Sequence, residues 1–415
     1  MDNNIYSVDA AKLCDSLELA VRWLTEIAMV RSEEQVNFPP RLSYKRWRGA
    51  IRGEYSAAGQ QWEMFCPMWH TGQAIKALCL AAKALDKPEL LDEAAFSAGF
   101  IMDNRITSSE DAGLIPAFED IPDQINISAV LESLDGLFYL SESTGDLSYS
   151  DAAVQALKWV RDHAWVPEKG IFNDIYDPQK RQFNFETRSH QGRPLLDDAV
   201  FVTAWQLTGN RSFLDMAQRI GETLLEKENP QGNWIAYIPC NTTRQDIHPR
   251  HAYWWGMPMR KLYHATGDKR FLDCFERGAQ WYARALRTDG GIIRRTRVDF
   301  NTESFGHATS GSACAARYFL QYQSETGNSI FEPLLGKALN YCMNMQFTHP
   351  QDHNLHGAIL EKIIPPAGSD ASPYHIRDLG TIFFIQAAAE YLLRENSAEA
   401  YPLPTALTEK SNYIL

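Results

Sequence analysis

The chain has 415 residues, which exceeds the usual size of one domain, and its 45% hydrophobic and 22% charged residues are typical of a globular protein. Its formal net charge of −12 argues against binding to nucleic acid or to an anionic membrane, because both attract basic surfaces. The first residues show no secretory signal pattern, no apolar run is long enough to span a bilayer, and the seven cysteines lack metal-binding spacing. We therefore expect a cytoplasmic protein that uses no metal and no other cofactor.

Along the chain, an apolar helical stretch followed by a Thr-Gly-Asp or Thr-Gly-Asn turn recurs about every 60 residues. The threonines of the clear copies are Thr144, Thr208, Thr266 and Thr326, and a degenerate copy lies near Asp86. The glycine can adopt the left-handed conformation that ends a helix, and the following Asp or Asn can cap the next helix. Each copy therefore predicts a hairpin of two antiparallel helices.

Five such hairpins, an N-terminal helix over residues 8–31 and a C-terminal helix that begins near Asp378 make twelve predicted helices. Helices that alternate between an inner and an outer layer can close into a ring, with the N-terminal helix as the outer partner of the last. No linker rich in Pro, Gly or Ser interrupts the pattern. We therefore expect a single all-α domain over residues 1–415, folded as an (α/α)6 toroid.

The N-terminal ends of the inner helices are predicted to surround a central cleft, where free N–H groups and helix dipoles favour an anionic or hydroxyl-rich ligand. Alignment of the repeats by their turns places these residues there: Trp69 and His70, Asn126, Arg193, Arg250 and His251, His307, and Arg377. An arginine offers a planar pair of donors to a carboxylate. Three arginines at one rim of an acidic chain therefore predict an anionic oligosaccharide as substrate, such as one that contains a uronic acid.

Two adjacent carboxylates, Asp197 and Asp198, are predicted about one turn into the third inner helix, in the otherwise apolar segment LLDDAVF. Burial there raises the pKa of a carboxyl group, which suits a general acid, while a nearby arginine opposes that shift. Asp135 lies deeper in the second inner helix, and Glu119 and Asp120 precede that helix on a loop. The pattern leaves open which of Asp197 and Asp198 faces the cleft.

Aromatic and histidine side chains gather at the same predicted rim. In RHAYWWGMP, His251 and Trp255 are four residues apart and share one helix face, with Trp254 beside them. An indole can stack on a sugar ring, and a histidine can exchange a proton or hydrogen bond with it. Further candidates for substrate binding come from PMWHTGQ and from the loops before the last two inner helices: Trp69, His70, Gln73, His307 and Tyr374.

The repeat, together with the motifs WHTGQ and LLDDAVFVTAWQLTGN, resembles the six-hairpin glycosidase superfamily, whose members fold as (α/α)6 barrels. Within it the chain is most similar to the unsaturated glucuronyl and rhamnogalacturonyl hydrolases. Those enzymes protonate and hydrate the C4–C5 double bond of an unsaturated uronic acid, which leads to loss of the glycosidic partner. The resemblance implies that Asp197 is the acid of this stretch and Asp198 its neighbour, with Asp135 or Glu119 as second acid. Ala199 and Val200 replace the bulkier residues of the family pattern.

Four functions follow from these patterns. A glycoside hydrolase would use Asp197 as acid and base, the three arginines to hold a carboxylate, and Trp69 and Trp255 to stack on rings. A lyase on the same fold would neutralise the uronate with Arg or Asn126 and remove a proton with His or Tyr; its candidate bases are His251, His307, Tyr253 and Tyr374. The other two are a sugar epimerase and a helical scaffold without enzymatic activity, against which the long polar loops before the inner helices argue.

Overall fold

A computed structural model describes residues 7–36, 43–119, 121–185, 192–301, 308–361 and 375–396 of the chain. The described part is mainly helical, with twelve α-helices that alternate between an inner and an outer layer. The inner helices are α2 (Pro67–Ala84), α4 (Ile127–Thr144), α6 (Val200–Thr208), α8 (Met259–Thr266), α10 (Thr309–Thr326) and α12 (Leu379–Asn396). The outer helices are α1 (Ala10–Arg22), α3 (Leu90–Asn104), α5 (Leu147–His163), α7 (Arg211–Lys227), α9 (Lys269–Ala285) and α11 (Glu332–Asn344).

The inner helices follow one another in chain order around the ring, with α10 in contact with the π-helical segment Ala252–Gly256 before α8, and α12 packs against α2, which closes the ring. Helix α1 packs on α12, so the N-terminal helix is the outer partner of the last inner helix, as predicted. It ends earlier than expected as an α-helix and continues as a π-helical segment, Trp23–Ala28. The predicted all-α (α/α)6 toroid is therefore confirmed. In the described part of the chain no helix is long and apolar enough to cross a membrane.

The repeated turns have the predicted cap chemistry. Gly145 ends α4 with a φ of 77°, in the left-handed region that favours glycine, and the glycines of the other three turns do the same. Asp146 then caps α5, because its carboxylate accepts a hydrogen bond from the backbone N–H of Ser148 at 2.9 Å. The hydroxyl of Thr144 donates to Leu140 and accepts from the N–H of Asp146, which links the two helices.

Two inner helices, α2 and α4, approach so closely that glycine is required at their crossing. A Cβ atom on Gly72 would lie 2.4 Å from the backbone of Ser133, and one on Gly136 would lie 2.0 Å from the carbonyl oxygen of Gly72. Both distances are shorter than any real carbon contact, so a larger residue would force the helices apart. This crossing brings the side chains of α2 close to those of α4 in the centre of the ring.

Among the described residues, the short strands all lie at one end of the ring. The strands are β1 (Gly53–Ser56), β2 (Gln61–Met64), β3 (Ile125–Asn126), β4 (Trp165–Val166), β5 (Ile171–Phe172), β6 (Ile175–Asp177), β7 (Gln182–Phe183), β8 (Asp246–Ile247), β9 (Thr296–Arg297) and β10 (His375–Arg377). Each belongs to a connection that runs from an outer helix to the next inner helix. Antiparallel pairing of β1 with β10 sets Glu54 opposite Arg377 and joins the two ends of the ring.

Two inner helices are much shorter than the others. Helix α6 begins only at Val200 and follows a 3-10 turn over Asp197–Ala199, and α8 follows a π-helical segment over Ala252–Gly256. The prediction that Asp197 and Asp198 lie one turn inside the third inner helix is therefore wrong, since both precede it. Asp198 and Ala199 have positive φ values of 51° and 52°, which a continuous right-handed helix cannot contain.

Candidate active site

Asp197 is the strongest candidate for a proton donor at the N-terminal ends of the inner helices. Its side chain is buried, and Oδ2 has no hydrogen-bond partner. Burial raises the pKa of Asp197 to about 8, although the positive charge of Arg193 opposes the shift. The carboxyl group therefore carries its proton at neutral pH and can donate it.

Asp198 has the opposite environment, although it is the next residue. One carboxylate oxygen of Asp198 lies 2.9 Å from Nζ of Lys76, and the other accepts a hydrogen bond of 3.0 Å from the amide of Gln73. Burial would raise the pKa of Asp198, but the charge and hydrogen bond of Lys76 outweigh it and hold the pKa low. Asp198 is therefore a bound carboxylate, and Gln73, expected at the substrate, is committed to the same interior network.

Glu132 is a second buried carboxyl group that sequence reasoning missed. It lies on α4, one turn from the N-terminus of the helix, and is largely buried. Burial and the neighbouring Asp197 raise the pKa of Glu132, against the opposing charge of Arg250. A polar residue in the first turns of an otherwise apolar inner helix is the signal that selected Asp197, and the segment ISAVLESLDG carries it as well. Glu132 and Asp197 are therefore two buried carboxyl groups, and the charge of Asp197 acts on Glu132.

Asp135, which we expected as a possible catalytic acid, lies deeper in the ring. Its carboxylate forms a buried ion pair with Lys76 at 2.6 Å, and the same ammonium group binds Asp198. Burial would lower the pKa of Lys76, but the two carboxylates outweigh it and raise that pKa. Asp135 is therefore the counter-charge of a buried lysine rather than a group at the cleft.

Arg250 is a buried cation with no acidic partner within ion-pairing distance among the described residues. Its guanidinium carbon lies 5.3 Å from the ring centre of Trp69 and 5.0 Å from that of Trp254, which favours the charge through cation–π contacts. Its Nη1 atom and the indole nitrogens of both tryptophans are buried and make no hydrogen bond. Buried donors of this kind normally have a partner, so these three residues are candidates for binding a polar ligand.

His248 and Arg294 extend this basic region and were also missed. The His248 ring stacks on Trp254 with 5.2 Å between ring centres and 6° between planes. Burial and the charge of Arg250 lower the pKa of His248, so the imidazole is neutral. Burial and the charge of Arg377 lower the pKa of Arg294 to about 9. Arg294 lies far before the aligned start of its inner helix, and His248 lies two residues before the aligned pair Arg250 and His251, so the alignment selected neither.

The other two rim arginines are already paired, which corrects the expectation that all three hold the substrate. Arg193 donates to Asp174 in a buried ion pair, and its Nη2 also donates to the hydroxyl of Ser128 at 2.5 Å. Arg377 is bound by Glu54 across the β1–β10 pair. The charges of Arg193 and Arg377 still act on neighbouring groups, but the guanidinium donors that face Asp174 and Glu54 already make hydrogen bonds.

Two of the three histidines predicted at the rim, His70 and His251, are enclosed. His70 has no exposed surface, and its Nδ1 lies 2.5 Å from a carboxylate oxygen of Asp378. His251 is equally buried, with Nδ1 and Nε2 at 3.2 and 3.1 Å from the carbonyl oxygens of Trp234 and Ile238. Burial and Arg193 lower the pKa of His251 to about 3. The expected roles of His251 in catalysis and of His70 in substrate binding are therefore not supported by their positions.

His251 and Trp255 share one face, as their four-residue spacing predicts, with 4.5 Å between their ring centres. That face is turned into the core, where Trp255 also packs against Trp234, so Trp255 is not placed for a sugar ring. Trp254 instead lies against Arg250. Asn126 caps α4 at the predicted place, and its side-chain oxygen is buried without a partner.

The lyase candidate Tyr253 lies in the interior, where its oxygen accepts a hydrogen bond from Arg317. His307 and Tyr374, predicted to bind substrate, lie outside the described residues, as does Asp120.

Neither a search with protein-family models nor a search of curated proteins finds a match to this chain. Solved structures do match. Cellobiose 2-epimerase from Bacillus thermoamylovorans has a TM-score of 0.69 at 10% identity, over 93% of this chain and 99% of that chain. An unsaturated glucuronyl hydrolase specific for heparin has a TM-score of 0.66 at 13% identity, over 93% and 98%. A D-mannose isomerase has a TM-score of 0.64 at 11% identity, over 95% and 100%.

The chain shares the (α/α)6 fold of these three solved structures. The matches cover nearly all of each chain, so the resemblance expected from the repeat is confirmed for the whole ring. At identities of 10–13% they establish the fold alone, because one fold can carry several activities.

Proposed function

We propose that this protein is a carbohydrate-active enzyme that cleaves a glycosidic bond of an anionic oligosaccharide, with Asp197 and Glu132 as its acid and base. The observation that carries the proposal is the burial of these two carboxyl groups at the N-terminal ends of neighbouring inner helices. Two buried carboxyl groups from neighbouring inner hairpins both have raised pKa values. Such a pair retains a proton at neutral pH, which is what acid-catalysed sugar chemistry requires.

The division of labour follows from the charges around the two acids. The protonated member of the pair donates a proton, either to the glycosidic oxygen or to a double bond of an unsaturated sugar. The ionised member accepts a proton from the attacking water. Arg250 favours the charged form of Glu132, and Arg193 favours that of Asp197, so either group can return to its starting state after turnover.

An anionic sugar is supported by the basic region beside the pair. Arg250 is buried between two indole rings with no acidic partner among the described residues, and an unneutralised buried guanidinium is costly. A substrate carboxylate would supply the missing counter-charge and accept from the unpartnered Nη1. Trp69 and Trp254 offer indole N–H donors close to the same point.

The names of the matched structures support a sugar substrate and favour two reactions, hydrolysis and epimerisation or isomerisation. One of them is an unsaturated glucuronyl hydrolase, which favours uronic-acid oligosaccharides, including unsaturated ones. Two others are an epimerase and an isomerase. One feature of this chain favours that second function: His248 is a neutral imidazole stacked on Trp254 in the basic region, so it could remove a proton from a sugar carbon.

An assay on defined oligosaccharides tests the proposal. The purified protein is incubated with unsaturated uronate, saturated uronate and neutral oligosaccharides, while the absorbance of the unsaturated uronate, the reducing ends and the epimer composition are measured. Loss of absorbance supports hydration-type hydrolysis, and new reducing ends without absorbance change support ordinary hydrolysis. A rise in absorbance indicates a lyase, and a new epimer without cleavage indicates the second function. Turnover of neutral sugars alone would contradict the anionic assignment.

A further inference from the structure

Asp198 and Ala199 are two consecutive non-glycine residues whose backbones adopt the left-handed conformation. Their φ and ψ values are 51° and 7°, and 52° and 38°. Side chains with a Cβ atom disfavour this region, and two such residues in a row are rare outside places where the surroundings impose them. The segment directly follows Asp197, so its conformation decides where that carboxyl group points.

Three side chains from other parts of the ring hold Asp198 in place. On α2, Lys76 lies 2.9 Å from one carboxylate oxygen and Gln73 donates to the other at 3.0 Å. On α8, Lys261 donates to the backbone oxygen of Asp198 at 2.9 Å. The side chain of Asp198 is thus fixed by α2 and its backbone by α8, and neither helix contains the turn.

The anchoring network is itself closed to solvent. The side chains of Lys76, Asp135 and Asp198 are 4%, 2% and 8% exposed. A buried lysine between two carboxylates cannot leave without stranding their charges, so the anchor is rigid. The adjacent side chains consequently have different surroundings, because Asp198 is bound to Lys76 and Gln73 whereas Asp197 is buried with Oδ2 unpartnered.

We propose that Asp198, Lys76 and Lys261 are positioning residues that hold the left-handed turn at 198–199 and thereby direct Asp197 to the substrate. The proposal rests on the proposed function for what Asp197 does there, but its structural part stands without it. The proposal also assigns proton transfer to Asp197 rather than to its neighbour Asp198. Asp198 contributes a fixed bond to Lys76 and transfers no proton.

The first test compares two substitutions of Lys76. Lys76→Met removes the anchor of Asp198 and should lower kcat about 100-fold with KM changed less than about threefold, because displacement of a catalytic group by an ångström has an effect of this size. Lys76→Arg keeps the charge and should retain more activity than Lys76→Met by at least about tenfold. Equal losses in both variants, or a loss confined to KM, would overturn the positioning role.

A second substitution tests whether the turn itself is the target of the anchor. Glycine adopts the left-handed region freely, so Ala199→Gly reduces the need for an anchor. The double variant Lys76→Met with Ala199→Gly should recover at least about threefold of the kcat lost in Lys76→Met, with Ala199→Gly alone as reference. A lysine that merely stabilises the fold would show no such recovery, and that result contradicts the proposal.

A crystal structure separates this inference from the proposed function, since it needs no turnover. In Lys76→Met, or in Lys261→Met if the first variant does not fold, residues 198 and 199 should leave the left-handed region and Asp197 should turn away from Glu132. Retention of both positive φ values would overturn the inference even if the enzyme cleaves uronates. Conversely, a displaced turn in a protein that cleaves no sugar would support the inference and refute the proposed function.

Discussion

The inner helices fall into two groups that differ in length and in role. Helices α2, α4, α10 and α12 each have 18 residues, whereas α6 has 9 and α8 has 8. The long helices close the ring on one side, and the glycine crossing of α2 and α4 belongs to that side. The two short ones begin after a left-handed turn and a π-helical segment that replace their first turns.

The irregular starts of α6 and α8 carry most of the candidate chemistry. Asp197 lies in the first, and Arg250 and Trp254 lie at the second. A regular helix fixes side-chain directions by its 3.6-residue period, while a local departure can point a single side chain elsewhere. The regular helices therefore form the scaffold of the ring, and the irregular segments orient most of the reactive side chains. Glu132 is the exception, because it lies on the regular helix α4.

The largest effect is expected from Asp197→Asn. The amide keeps the shape of the side chain but cannot donate the acidic proton, so kcat should fall about 1,000-fold with little change in KM. The measurement is the steady-state rate on the best uronate substrate. Asp215→Asn, at an exposed position on α7, is the matched control and should behave as wild type. Activity of Asp197→Asn within about fivefold of wild type would remove this residue from the mechanism.

Arg250→Met should produce a smaller loss, and mainly in binding. Met fills much of the same space between Trp69 and Trp254 but cannot pair with a carboxylate. KM for a uronate oligosaccharide should rise about 30-fold, which corresponds to one charged hydrogen bond, and KM for a neutral analogue less than about threefold. Equal changes in KM for both substrates would show that Arg250 supports the structure of the site but does not bind the substrate carboxylate.

The pH dependence of stability gives a test without substrate. The pKa of Asp197 is about 8 in the folded protein against 3.8 as its ordinary value, so the folded state holds this proton more tightly than the unfolded one. Stability from this group is therefore present at low pH and is lost as pH rises from about 4 to about 8. The stability of Asp197→Asn relative to wild type should rise by about 4 kcal/mol between pH 5 and pH 9, since each pKa unit corresponds to about 1.4 kcal/mol. Denaturant unfolding at both pH values measures it, and an unchanged difference would show that the pKa is ordinary.

The ring could be predicted from sequence because its signals are local. A left-handed glycine at 145 and a capping Asp146 act within a few residues of each other, so a four-residue pattern is enough to locate a hairpin. Counting such hairpins predicted the number of helices, and their alternation between an inner and an outer layer predicted the closure of the ring.

The site was harder to predict because partners far away in the chain determine which of its side chains are already bound. His70 is enclosed by Asp378, Arg377 by Glu54, and all of these partners lie more than 300 positions away in the chain. The different surroundings of Asp197 and Asp198 depend on a left-handed turn that no local propensity favours. A repeat register can place a residue at the rim, but it cannot tell which side of the helix end its side chain takes.

The smallest predicted effect belongs to the turn end of the ring, and it sharpens the contrast with the cleft. Gly145 has a φ of 77°, and a Cβ atom there would meet no atom within 4 Å, so Gly145→Ala adds backbone strain without a clash. The free energy of unfolding should fall by about 1 kcal/mol while kcat and KM stay at wild-type values. Ala199→Gly probes the same conformation at the cleft, where the change falls beside Asp197 and should appear in kcat. If Gly145→Ala altered kcat as well, the two ends of the ring would be coupled, and the division between the scaffold and the oriented side chains would fail.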